Sequence, residues 1–239
     1  MTAFPDLNIF FVIILSGFVT AFVGTLFGLP SLRIKGFYLA VATLAAQLFL
    51  IWLFNKVGWF YNYSATGMIT APSRSVGSFF ITGSESTPAA KYLFCFLFVF
   101  LLAWIARNLT RGKIGRSWMA IRDMDIAAEI IGVNPLIAKL SAFAISSFYV
   151  GVAGALFFSV YLGAVEPTEA FSIQKSFIVL FMVIIGGLGS IFGSFAGAAF
   201  MVLLPVALKN LLVLQFGWSV DIAAHFEFII IGGLIIFFL

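Results

Sequence analysis

Nine of the chain's 22 Asp, Glu, Lys and Arg residues fall between Arg107 and Lys139: Arg107, Arg111, Lys113, Arg116, Arg122, Asp123, Asp125, Glu129 and Lys139. Their chemistry is that of contact rather than catalysis. The chain has no G-x-x-x-x-G-K-[ST] loop, no metal-ligand cluster and no nucleophile elbow. Gly115 to Gly132 reads as one amphipathic helix, stopped by Gly132, with Pro135 beyond. Helical spacing puts Ile121, Met124, Ala128 and Ile131 on one face and Arg122, Asp125 and Glu129 on another. Asp125 and Glu129 are like charges four residues apart, mildly unfavourable in an isolated helix and relieved by a basic partner surface. A helix lying on a membrane carries Lys and Arg along its polar face. Carboxylates in that place favour docking on a protein.

A second group is Gly186-Gly187-Leu188-Gly189-Ser190-Ile191-Phe192-Gly193, followed by Gly197. The four-residue spacing of Gly189, Gly193 and Gly197 lets helix backbones approach closely. Gly186-Gly187 is more than packing needs and favours a helix break, tolerated at membrane depth where backbone is buried or lines a cavity. Gly186, Gly187, Gly189, Ser190 and Gly193 are therefore expected at a break beside a pore. Thr20, Gly24 and Gly28, and Gly151 with Ala155, are read as plain packing faces. Few ionisable residues fall within apolar runs. His225 and Glu227, after Asp221, read as an interfacial anchor pair, and Lys175 and Lys209 snorkel from span ends. No chain of acids crosses the apolar region, which argues against a proton- or sodium-coupled carrier.

The elements that must position these groups follow from composition. The chain has 239 residues, 63% hydrophobic and 9% charged, with mean hydropathy +1.17. Soluble domains carry about 25% charged residues. Apolar runs of about 20 residues span a bilayer as helices, and their continuity differs from the alternation of a β-barrel. Seven spans are expected, at 9–29, 36–54, 91–109, 140–162, 174–189, 191–213 and 222–239. A mid-bilayer charge costs about 2.5–3.5 kcal/mol on insertion scales, so the charged stretch must leave the membrane. Arg33 and Lys35, and the six basic residues of 107–139, place both loops in the cytoplasm. The loops 55–90 and 163–173 are then outside, the N-terminus starts outside and the C-terminus ends inside. The outer loop 55–90 is expected to be turn-rich rather than folded, with Trp59, Phe60, Tyr61 and Tyr63 as an aromatic belt. Cys95 reads as a small buried hydrophobe. The net charge of +4 does not suggest nucleic acid, because the basic residues cluster at membrane edges. No cleavable leader stands out from the first span. An outside N-terminus is easiest to explain if another segment precedes residue 1. The fold class is thus all-α, a polytopic helical bundle.

Three ordered blocks resemble the LivM-type permease subunits of branched-chain amino-acid ABC importers. They are Gly28-Leu29-Pro30 through Thr43-Leu44; Gly115-Arg116, Ala120-Ile121-Arg122-Asp123, Ala127-Ala128-Glu129 and Gly132-Val133-Asn134 on to Gly151 and Leu156; and Ile184 through Gly193. The resemblance covers nearly all of residues 20–215 and implies a single permease domain over 1–239. It implies that the cytoplasmic helix couples to an ATPase groove through Arg116, Ala120, Arg122, Asp123, Ala127, Ala128, Glu129 and Gly132. Glu129 follows the alanine pair, as in the branched-chain branch, whereas Glu precedes it in the generic importer form. The resemblance also implies ATPase subunits as partners holding ATP and magnesium, so this chain is not itself an enzyme and binds no cofactor. A second homologous permease, giving a heterodimer, and a periplasmic binding protein, for which Trp59 and Tyr61 offer a docking surface, complete the expected assembly in a bacterial inner membrane. Relatives of this type serve branched-chain and other amino acids, urea, amides and aromatic acids. A secondary transporter or a membrane-embedded scaffold are the competing classes. Family members begin with further spans before the region equivalent to 9–29, so the chain is expected to be part of a longer protein or a shortened variant.

Overall fold

The computed structural model describes residues 7–31, 37–60, 63–64, 67–76, 79–83, 86–215, 217 and 219–238. Arg33, Lys35 and Tyr61 lie outside the described residues. Each of the seven expected spans holds an α-helix, with ends that differ by up to several residues: α1 (Ile9–Ser31), α2 (Phe37–Lys56), α3 (Pro88–Arg111), α6 (Pro135–Leu156), α8 (Ile173–Gly186), α9 (Ile191–Lys209) and α10 (Val220–Phe238). Between α3 and α6 lie α4 (Lys113–Asp123) and α5 (Asp125–Ile130), and a short α7 (Pro167–Ala170) precedes α8. Five helical segments among the described residues are long and apolar enough to cross a membrane: Ile9–Pro30, Pro88–Arg111, Pro135–Leu162, Thr168–Gly186 and Ile191–Val213.

Caps set several of the helix starts. Thr87 accepts from the Ala90 N–H at 3.4 Å, and Pro88 takes the first helical position. Asn134 Oδ1 accepts from the Leu136 and Ile137 N–H groups at 3.0 and 3.2 Å ahead of Pro135. Ser190 Oγ accepts from Gly193 N–H at 3.0 Å. Each satisfies amides that lack an intrahelical partner, and proline loses no bond at the first position. The Asn134 cap starts α6 five residues before the expected span, because the polar end of this helix lies outside the apolar run.

The chain divides into two units, Met1–Ala170 and Phe171–Leu239. In the first, α1 and α6 run antiparallel along most of their length. Gly17 faces Phe148 and Val152, Gly24 faces Ser147, Gly28 faces Phe143, and Gly151 faces Thr20. A methyl group at any of these glycines would press on the opposite helix, which is the close approach that small residues permit. One end of this pair is filled by Ile9, Ile13, Ile81, Phe94, Phe98, Val152, Leu156 and Val160. Phe10 adds rings 5.1 Å from Phe94 and 5.7 Å from Phe98.

The loop 55–90 carries more structure than expected. β1 (Ile69–Thr70) pairs antiparallel with β4 (Ala164–Val165), and β2 (Arg74–Val76) with β3 (Phe79–Thr82). Ala71 N–H donates to the Gly163 carbonyl at 2.7 Å, and Asn55 Nδ2 donates to Thr168 Oγ1 at 3.0 Å, so the loops 55–90 and 163–173 are fastened together. Thr82 is 1% exposed; its hydroxyl accepts from Arg74 N–H and donates to the Pro72 carbonyl, both at 2.7 Å. The buried Arg74 donates to the Leu7 carbonyl, which fixes the hairpin to the start of α1. α6 reaches this platform through a π-helical turn, Phe157–Leu162, closed by Gly163 at φ 71°.

The second unit is built on α8 and α9, with α10. Backbone atoms of Gly186 and Gly193, and of Met182 and Gly197, approach so closely that no Cβ fits at the glycines.

Candidate functional site

The charged stretch forms two helices, not one. Met124 is extended, at φ −154° and ψ 95°, and separates α4 from α5. The physical cause is local. Asp125 Oδ1 accepts from the Ile126 N–H at 2.9 Å, giving the backbone an alternative to a continuous helical ladder. A carboxylate in the first turn also favours starting a new helix there. The break re-aims the apolar residues. Ile121 and Ala128 are buried with Ala138 of α6, joined by Trp118, Ala120 and Val133. Met124 and Ile131, expected on the same face, are exposed instead.

α5 ends in a tight left-handed cap. Gly132 has φ 89°, its N–H donates to the Glu129 carbonyl at 3.0 Å, and Val133 N–H donates to the Ala128 carbonyl at 3.0 Å. This is a Schellman pair, with Val133 packing on the cluster that holds Ala128. Ala128, 3% exposed, is therefore the anchor of α5 rather than part of its outer surface. The outer surface carries Ile126 and Ile130, 74% and 81% exposed and one turn apart. Ala127, Asp125 and Glu129 are exposed beside them. Arg122 pairs with Asp123 at 2.9 Å, both well exposed, an ion pair worth little in itself. Arg116 donates to the Arg111 carbonyl at 3.1 Å across the Gly112 joint, and Ala120 is half-buried.

Two features escaped the sequence reading. Ile126 and Ile130 were hidden by assuming one continuous helix, although their four-residue spacing is visible. Trp118 Nε1 donates to Ser141 Oγ at 2.9 Å, a contact 23 residues apart with no local signal.

The glycine group forms a reverse turn between α8 and α9. Gly187 and Gly189 have φ of 94° and 98°, which glycine adopts without strain. Ser190 caps α9, while Gly186 and Gly193 make the backbone contact, so the break falls at the ends of two helices. Trp59 is exposed, its ring 5.2 Å from that of Phe60. His225 Nδ1 lies 2.6 Å from the Asp221 carbonyl on its own helix. Among the described residues no group of three His, Cys, Asp or Glu side chains could hold a metal.

Several apolar helices long enough to cross a bilayer define a multi-pass helical membrane protein. The chain belongs to the family described as the branched-chain amino acid transport system permease component, whose profile matches residues 1–239. It is 34% identical over 208 residues to the "High-affinity branched-chain amino acid transport system permease protein LivM" of Salmonella typhimurium, covering 79% of this chain and 48% of that protein. The protein of the same description from Escherichia coli K12 is 32% identical over 206 residues, with the same coverage of each chain. The "Probable branched-chain amino acid transport permease protein LivM" of Methanocaldococcus jannaschii is 24% identical over 200 residues, covering 82% of this chain and 55% of that one. The chain spans about half the length of the curated relatives it matches. No solved structure matches it significantly.

Proposed function

We propose that this chain forms the permease path of an ATP-driven importer for branched-chain or related amino acids, and that α5 is where a partner ATPase pushes on it. The observation that carries the reading is the outer face of α5. Two isoleucines stand largely exposed beside Asp125 and Glu129 on a helix capped at its C-terminus and anchored on α6 through Ala128. An isolated Ile pair in water is unfavourable by about 1.5–3 kcal/mol per side chain relative to burial. Membrane docking fits poorly, because carboxylates take the places that Lys and Arg hold on interfacial helices. A groove on another protein, apolar at its base and basic at its rim, fits both features.

The assembly is proposed to contain two ATPase subunits, a second homologous permease and an external binding protein that meets the outer platform near Trp59 and Tyr61. ATP and magnesium sit on the ATPase. The charged stretch and the C-terminus face the cytoplasm of a bacterial cell, and the Gly186–Gly193 turn borders the path. Urea, amides or aromatic acids are the substrates of the alternative reading.

The test is co-purification with the ATPase subunits. Ile126→Asp with Ile130→Asp leaves the buried Ala128 cluster intact, and is expected to abolish association while membrane insertion persists. Retained association with full ATP-driven uptake refutes the reading.

A further inference from the structure

The helices α4 and α5 are fastened to α6 by more than apolar contact. Trp118 donates its indole N–H to Ser141 Oγ at 2.9 Å, and that hydroxyl donates onward to the Ala138 carbonyl at 2.8 Å. The cluster around this bond is smooth: small alanines at 120, 128 and 138, with Ile121 and Val133. Dispersion between such surfaces is non-directional and resists sliding or rotation weakly, whereas a hydrogen bond fixes both distance and angle. Toward α3 the corresponding link is Arg116 on the Arg111 carbonyl, a contact across the chain's own joint at Gly112. The long-range polar tie of α4 therefore runs to α6.

From Ser141 the connection continues through the body of the first unit. α6 meets α1 at Gly28 and Phe143, Gly24 and Ser147, Thr20 and Gly151, and Gly17 and Val152. Ser16 Oγ lies 3.3 Å from the Gly151 carbonyl across the same interface. At its far end α6 passes into the π-helical turn, and Gly163 accepts from Ala71 beside the β1–β4 pair. Across the α1–α6 interface glycines of one helix seat side chains of the other with no room for a Cβ, and close-packed interiors of this kind have low compressibility and transmit strain.

We propose that Trp118 is a positioning residue: its bond to Ser141 locks α4 and α5 to α6, so that displacement of the Ile126–Ile130 face reaches the outer platform through α6 and α1. The inference rests on the reading of α5 as the ATPase contact. Without the bond, α5 moves on α6 and part of each ATPase stroke is lost at the cluster.

The complete transporter, reconstituted in proteoliposomes with its binding protein and radiolabelled leucine, tests this. Trp118→Phe keeps a ring in the cluster and removes the donor. Ser141→Ala removes the acceptor with the smallest change, and decides the matter should Trp118→Phe fail to assemble. Assembly and ATPase rate are expected to persist, while ATP hydrolysed per leucine imported rises about fivefold, the factor corresponding to one net hydrogen bond. The double variant is expected to match the single ones, because both remove the same bond. An unchanged ratio, with assembly, hydrolysis and import falling together, overturns the proposal and assigns the bond to folding. A rise in Trp118→Phe alone also overturns it. Failure of the wild-type permease to bind any ATPase refutes the docking reading and this inference together; binding with an unchanged ratio in the variants refutes only the inference.

Discussion

Replacing Gly197 by alanine should destabilise the α8–α9 hairpin, whereas replacing Gly154 by alanine should not. Both glycines lie inside helices, so helix propensity alone predicts that alanine gains about 1 kcal/mol at each. The surroundings differ. A Cβ at Gly197 collides with the Met182 carbonyl and lies 2.8 Å from Gly186 N, backbone atoms that no rotamer change can move. A Cβ at Gly154 meets nothing within 4 Å. Overpacking a well-filled contact costs about 1–3 kcal/mol when side chains can adjust. Here the helices themselves must separate, which also loosens the Gly186–Gly193 contact one turn away. The collision outweighs the propensity gain, so Gly197→Ala should lose roughly 1–2 kcal/mol net. Gly154→Ala should gain roughly 0.5–1 kcal/mol. Equilibrium unfolding of the purified chain in mixed micelles, titrated with a denaturing detergent, measures both. Opposite signs support the packing assignment; equal shifts would mean that propensity governs both sites and the close backbone approach is not a packing constraint.

Two further outcomes follow from hydrogen bonds outside the spans. Thr82→Val keeps shape but leaves Arg74 N–H and the Pro72 carbonyl without their buried partner; a loss of about 1–3 kcal/mol is expected, read as faster proteolysis of the 55–90 loop, and unchanged cleavage would contradict it. Asn134→Ala removes the acceptor for two amides at a cost of about 1 kcal/mol, so amide exchange at Leu136 and Ile137 should quicken about fivefold; unchanged exchange would show that another acceptor caps α6.

The transmembrane helices were legible because a 20-residue apolar run has few structural alternatives in a bilayer. Gly132 was legible as a stop because it stands between an apolar-periodic segment and Pro135. The break at Met124 was not. Ile121, Met124, Ala128 and Ile131 fit one helical stripe, and the pattern alone cannot reveal that Asp125 prefers its neighbour's amide. With the break, Ile121 and Ala128 of that stripe stay buried on α6, Met124 and Ile131 do not, and Ile126 and Ile130 form the exposed surface of α5. The platform strands were illegible for a different reason. Two- to four-residue strands are too short to show a period of two, and their pairing depends on Gly163 arriving beside Ala71 from a distant helix.

The platform strands and the Trp118–Ser141 bond, unlike the local break at Met124, join distant segments of the first unit where a transmembrane helix meets a loop. Within the helices, glycines set close approach and leave little to adjust. The sites that can shift relative to α6 are its two ends: the Trp118–Ser141 bond at one and the Gly163–Ala71 bond at the other. If a stroke at α5 is to open a path, one of these ends must hold while the other yields. Each end has a hydrogen bond and a buried cluster, Ile121, Ala128 and Ala138 at one and Val152, Leu156 and Val160 with Phe94 and Phe98 at the other, but of the two the platform end carries a π-helical turn, whose extra residue per turn can be gained or lost locally. On the proposed reading of α5 as the ATPase contact, that turn is where displacement would become a change of shape.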